Sequence, residues 1–156
     1  MSIRFILFLM ILFATQPSNS QQVEKDEVKK TVEGFFEAFH NQDSVAMKQF
    51  VANDVVLQTT GRNKEGKTMF RSSPIEKLYE SIVSIPDSVS FQEKLTSWNI
   101  QVDRTMAHAW VGYEFWLNGN FSHCGINSFQ MVNFDGEWKI IYLIDTRGRA
   151  DCSSTK

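Results

Sequence analysis

Glu114 and His123 are the residues whose types and spacing best suit acid–base chemistry in this chain. They flank Asn118-Gly119, a dipeptide that accepts positive φ at both central positions of a type I′ turn. With a two-residue loop there, Glu114 faces His123 across two antiparallel strands, Trp116 faces Phe121 and Trp110 faces Asn127. A carboxyl beside an imidazole can pass a proton to and from a substrate, as isomerases and dehydratases require. A second turn dipeptide, Asp135-Gly136, sets Phe129 opposite Tyr142, Met131 opposite Ile140 and Asn133 opposite Trp138. Side chains alternate between the faces of a strand. Glu114, His123, Asn127, Phe129, Met131, Ile140 and Tyr142 therefore share one face, and Tyr113, Cys124, Gln130, Lys139, Asp145 and Arg147 take the other. The first face is mostly apolar and is expected to lie under helices. Glu114 and His123 are then catalytic candidates. Trp110, Trp116, Asn127 and Tyr142, with Phe35 and Phe39 from an upstream helix, are candidates to line a ligand pocket. A cross-strand Glu–His pair is also an ordinary stabilising contact. A slip of one residue would move every partner to the other face and pair His123 with Phe115.

Asp145 and Arg147 close the last strand on a common face. They can hold an anionic group through the guanidinium fork, form a surface ion pair, or meet a partner at an interface. The three histidines and two cysteines are not clustered, so no metal site is expected. Neither a phosphate loop, a dinucleotide fingerprint nor a Gly-x-Ser-x-Gly elbow occurs, and nothing in the sequence calls for a cofactor. A formal net charge of −2 without a basic run argues against nucleic acid as partner.

The elements that must position these residues follow from periodicity. Residues 23–42 carry Val28, Val32, Phe35, Phe36 and Phe39 at spacings of three and four, which predicts an amphipathic helix with an aromatic stripe. Asp43 or Ser44 can cap a short second helix over SVAMKQFVA. Residues 55–60 (VVLQTT) read as a strand and 61–67 as a charged loop. Ser73-Pro74-Ile75-Glu76 has the form of a capping box with proline in first helical position. It opens a helix to about Ser84 whose apolar face is Ile75, Leu78, Tyr79 and Ile82. Phe91 to Val102 is the next strand, and Asp103-Arg104 turns into a three-stranded antiparallel meander. Helices gathered before an antiparallel sheet give an α+β class, and 156 residues suffice for one domain with its own core.

The first twenty residues have the order of a signal peptide: Arg4, the apolar run Phe5–Ala14, then small residues at Ser18 and Ser20. The apolar run is about half of the roughly 20 residues a spanning helix needs, so export rather than membrane anchoring is expected, leaving residues 21–156 as the domain. The mature chain then carries no membrane segment, and its net charge falls from −2 to −3 because Arg4 is the one charged residue lost. An oxidising compartment permits a bridge between Cys124 and Cys152, and two unpaired thiols are the alternative.

In its element order, in VEGFFEAFHNQD of the first helix, and in Tyr113-Glu114-Phe115, His123-Cys124-Gly125 and GEWKIIYLIDTR at 136–147, the chain resembles the nuclear transport factor 2-like superfamily, and more narrowly its SnoaL-like proteins exported by bacteria. The resemblance spans roughly residues 24 to 147. It implies a cone-shaped, cystatin-like α+β fold with a curved antiparallel sheet wrapped on three N-terminal helices, a pocket between them, and frequent homodimers. Members include ketosteroid isomerase, dehydratases, epoxide hydrolases and polyketide cyclases, and none of their catalytic sets aligns onto this chain residue by residue. The expectation is an exported domain that binds a small apolar or aromatic molecule. The alternatives are a cofactor-free lyase or isomerase using Glu114 and His123, and a structural module that dimerises through its sheet.

Overall fold

The computed structural model describes residues 18–149 and 152. Most of the expected signal peptide lies outside the described residues. Helix α1 (Ser18–His40) is followed by the one-turn α2 (Ser44–Met47) and a 3-10 turn, then β1 (Val51–Arg62), β2 (Thr68–Ser73), α3 (Ile75–Val83), β3 (Phe91–Asp103), β4 (Met106–Leu117), β5 (Asn120–Phe134) and β6 (Glu137–Arg147). The six strands form one sheet in the order β2-β1-β6-β5-β4-β3. The class is α+β, as expected, but the sheet is mixed rather than antiparallel, since β1 runs parallel to β6. No described helix is long and apolar enough to cross a membrane.

The aromatic stripe of α1 is the core. Val28, Val32, Phe35 and Phe36 are buried against the sheet. Ala107, Ala109 and Val111 offer a low surface on β4, so α1 can approach closely, while Phe129, Met131 and Ile140 fill the space beside it. The ring of Phe36 meets Phe129 edge-on at 6.2 Å, a geometry that aligns ring edges with ring faces. Gly34 admits the ring of Phe50, whose Cε1 would stand 2.5 Å from a Cβ at that position.

α1 ends earlier than its periodicity suggested. Gln42 has φ 55, and the bonds Asp43 N–H to Ala38 O and Gln42 N–H to Phe39 O close a Schellman motif. Glycine usually holds that position. Here the Gln42 side chain donates to the carbonyls of Ile82 and Ile85, both at 2.8 Å, and so ties the end of α1 to the end of α3. Asp43 caps α2 as expected, accepting from Val45 and Ala46 N–H. The capping box at Ser73 does not form: Ser73 is consumed by strand pairing with Leu57, and α3 starts after Pro74 without a side-chain cap. β2 itself was unforeseen. It is half of a β1–β2 hairpin closed by the Asn63–Lys67 loop, where Asn63 Oδ1 accepts two backbone N–H groups.

Both turns of the meander formed with two-residue loops. Asn118 and Gly119 have φ 49 and 73, and Asp135 and Gly136 have φ 54 and 103. Each strand pair then departs from simple counting at a bulge. In β4–β5 the pairs run Leu117↔Asn120 and Trp116↔Phe121, but next Phe115↔His123 and Glu114↔Cys124, leaving Ser122 as an extra residue. In β5–β6, Met131↔Ile140 and Asn133↔Trp138 hold, but Gln130 pairs with Tyr142 and Phe129 with Leu143, so Ile141 is extra. A bulge shifts register by one and bends the strand. Beyond each bulge the inward and outward sets therefore exchange on one strand of the pair.

Candidate functional site

Between the helices and the sheet lies a cavity of about 590 Å³. Its walls are Phe35, Phe36 and Phe39 from α1, Leu57 from β1, Leu78, Ile82 and Ile85 from α3 and its end, and Phe91, Phe115 and Leu143 from the sheet. The bulge in β6 turns Leu143, Asp145 and Arg147 inward in place of Tyr142 and Ile144. The bulge in β5 leaves His123 inward but makes Phe115, not Glu114, its partner.

Pairing across the sheet sets a polar row on the inner face. Arg71 pairs with Thr59, Thr59 with Asp145, and Asp145 with Asn127. The buried Asp145 is fully occupied. Thr59 Oγ1 donates to one carboxylate oxygen, and Arg147 Nε donates to the other at 2.7 Å. The Tyr113 hydroxyl donates to the Thr146 carbonyl at 2.9 Å and lies 3.4 Å from Asp145. Burial raises the Tyr113 pKa, and the neighbouring Asp145 and Glu93 add to the rise, so the phenol stays a donor. Gly125 makes room for that phenol: a Cβ there would stand 2.9 Å from the Tyr113 ring and 1.8 Å from the Thr146 carbonyl oxygen.

Glu93, from β3, completes the polar end. Its Oε1 accepts from Asn127 Nδ2 at 2.7 Å, and its backbone N–H donates to His40 Nε2 at 2.9 Å. Burial pushes the carboxyl up from 4.5 to about 7, against the Asn127 hydrogen bond, which favours the charged form. Glu93 also lines a second recess with Glu33, Glu37, His40 and Asn41, and so stands between the main cavity and that recess. His40 and His123 both have pKa values lowered by burial, with Arg147 adding to the effect on His123. His123 stacks on Phe115 at 5.0 Å and its Nδ1 lies 3.1 Å from Ser122 Oγ. The polar end thus offers a carboxyl poised between its two states near neutrality, an amide, an imidazole and an Asp–Arg pair, beside the aromatic wall of the cavity.

The expected site residues are distributed differently from the sequence reading. His123, Asn127, Phe35 and Phe39 line the cavity. Asp145 and Arg147, expected on the outer face, line it too. Glu114 is on the other face, beside Lys94 of β3, where it accepts from Trp116 Nε1 at 3.2 Å. The structure therefore separates Glu114 from His123, and the bulge at Ser122 is the reason. Trp116 carries Lys94 Nζ at 4.2 Å over its ring. Trp110 is 48% exposed opposite Ser128, and Tyr142 donates to Gln58 across β6 and β1. Neither tryptophan nor Tyr142 lines the cavity. Cys124 and Cys152 are joined in a disulfide with Cα atoms 5.9 Å apart, which secures the segment after β6 against β5. Gly148 also exchanges both backbone hydrogen bonds with Cys124 there. Among the described residues no group of three or more metal-ligating side chains is assembled.

Sequence reasoning missed Glu93, Thr59, Tyr113, Arg71 and Lys77. For Glu93 a signal existed. Phe91, Glu93 and Leu95 alternate onto one face, and a carboxylate within an apolar stripe is out of place unless the face holds a polar site.

No family model matches the sequence, and no curated protein matches it either. Solved structures do. A protein of unknown function from Mycobacterium tuberculosis superposes with a TM-score of 0.68 at 16% identity, over 91% of this chain and 81% of that one. A nuclear transport factor 2-like protein of unknown function from Shewanella baltica gives 0.58 at 14% identity, over 85% and 98%. The β subunit of a putative aromatic-ring-hydroxylating dioxygenase from Novosphingobium aromaticivorans gives 0.65 at 10%, over 83% and 92%. At these identities the likeness speaks to architecture, and it agrees with the curved mixed sheet and the three helices: the chain has the nuclear transport factor 2-like fold.

Proposed function

We propose that this protein is an exported, SnoaL-like domain that binds a small apolar or aromatic molecule in the cavity, with the ligand's oxygen-bearing end against Glu93 and Asn127. The observation that carries the reading is the cavity itself: about 590 Å³, walled by five phenylalanines and closed by a few convergent polar groups. That size and division of labour suit a small organic ligand. A thermal-shift screen of aromatic and alicyclic alcohols, ketones and acids tests it, with Leu143→Trp as control. Hits that stabilise the wild type and fail on the filled variant support the reading. Hits that ignore the variant would place binding elsewhere and refute it.

A second reading is favoured by Glu93. A carboxyl whose pKa lies at about 7 can take a proton from a carbon or oxygen acid and return it within one turnover. The domain is then a cofactor-free lyase or isomerase with Glu93 in the role first assigned to Glu114, while Asn127 orients the carboxyl. Turnover of a bound ketone or alcohol, followed by deuterium exchange, checks this; exchange that persists in Glu93→Gln would rule it out. The outer face of the sheet, where Met106 is 57% and Trp110 48% exposed, suits a homodimer interface. Sedimentation at micromolar concentration tests that part, and a monomer would contradict it.

A further inference from the structure

The cavity has two ends with different chemistry. One end holds Glu93 and the buried Asn127 and Asp145, with Arg147, whose side chain is 52% exposed, paired to Asp145. The rim is formed by the edge strand β2 and by α3, where Arg71 and Lys77 are exposed and also line the cavity. The cation at that end is accounted for: Asp145 neutralises Arg147 at 2.7 Å. The rim cations are not. Among the described residues neither Arg71 nor Lys77 has an ion-pair partner within 4.0 Å. In a chain of net charge −2, two unneutralised cations over an apolar funnel form a local field of the opposite sign.

From this arrangement we infer that the ligand is an amphipathic oxyanion whose charged head is held at the rim by Arg71 and Lys77, while its apolar body runs inward and presents a second, neutral oxygen to Glu93 and Asn127. The inference rests on the proposal that the cavity is the binding site, and it adds the ligand's charge, polarity of entry and length. From Arg71 to Asn127 the inner row crosses three strand spacings. At about 4.8 Å each, that is roughly 14 Å along the sheet. A body of two or three fused rings, or an aliphatic chain of similar length, spans it. The exposed rim suits the head because it stays hydrated there, and the desolvation that a buried carboxylate would suffer is avoided. The opposite orientation would bring the anion against Glu93 and Asp145, which repel it, and there the cation Arg147 is already held by Asp145 at 2.7 Å.

Anthracene-2-carboxylate and its neutral analogue 2-hydroxymethylanthracene separate the possibilities, with binding read from ligand fluorescence at low salt. The wild type is expected to bind the acid about tenfold more tightly than the alcohol, a preference reduced by 0.5 M sodium chloride. In Arg71→Gln/Lys77→Gln, two exposed positions away from the core, the preference should vanish while affinity for the alcohol is kept. Equal affinities in the wild type would overturn the anionic assignment and leave the cavity reading standing. A preference that survives in the double variant would overturn the rim placement. Binding of neither probe, with the fold intact by circular dichroism, would overturn both readings together.

Discussion

Replacing Glu93 by glutamine tests the electrostatics of the polar end through stability alone, with no ligand in hand. Burial raises the Glu93 carboxyl from 4.5 to about 7 in the folded protein. A carboxyl with a raised folded pKa binds its proton more tightly folded than unfolded. Its stabilising contribution is therefore present below about pH 4.5 and is lost as pH rises to about 7, above which both states are ionised. Two and a half pH units at 1.36 kcal/mol each give a loss of about 3 kcal/mol. Glutamine keeps the shape and the acceptor for Asn127 Nδ2, but does not titrate. Urea unfolding followed by tryptophan fluorescence, at half-unit steps from pH 4.5 to 8.5 with the disulfide intact, measures the difference. The two proteins should be similar at pH 4.5, and Glu93→Gln should be the more stable by about 3 kcal/mol above pH 7.5. In a thermal melt this corresponds to about 6–12 °C for a domain of this size. His40 and His123, whose pKa values are lowered, lose stability in the opposite sense as pH falls through the histidine range, but they do so in both proteins and cancel in the comparison. Parallel curves would show that Glu93 is an ordinary solvated carboxylate, and the argument for a proton-handling site would fall with it.

Four further outcomes follow from the geometry. Asn127→Ala removes the hydrogen bond that favours ionised Glu93, so the Glu93 pKa should rise above its wild-type value in a carbon-detected NMR titration. Gly125→Ala places a Cβ 1.8 Å from a backbone carbonyl that cannot move without breaking β6, and should destabilise by about 3 kcal/mol or more in chemical denaturation. Cys152→Ser opens a crosslink of sequence separation 28 and should lower unfolding free energy by about 3–4 kcal/mol in the loop-entropy account, with cavity binding retained. Glu114→Gln, on the opposite face of the sheet, should leave both ligand binding and the pH profile unchanged in the same assays.

The readable parts of this chain were those fixed locally. The 3.6-residue spacing of Val28, Val32, Phe35 and Phe36 requires a helix with one buried face, and the two turn dipeptides require tight loops, because few other sequences tolerate two successive positive φ values. From these the α+β architecture and the aromatic cavity wall followed. The bulges at Ser122 and Ile141 were not readable, because whether a strand carries an extra residue is decided by curvature over the whole sheet and by what lies on it. Their effect was large: one extra residue in β5 parted Glu114 from His123, and one in β6 brought Asp145 and Arg147 inside. Thr59 and Arg71 joined the site through pairing of β1 with β6 and β2, contacts distant in sequence. Glu93 is the instructive case, since its place in the apolar stripe of Phe91 and Leu95 was visible and only its partner, Asn127, was not.

A crystal structure of the protein with the tightest hit of the small-molecule screen tests the central claim most directly. The account predicts the apolar body between Phe36, Phe39, Phe91 and Phe115 and a polar atom of the ligand within hydrogen-bond distance of Glu93 or Asn127. A hit seated on the outer face around Trp110, with the cavity closed by repacked side chains, would contradict it.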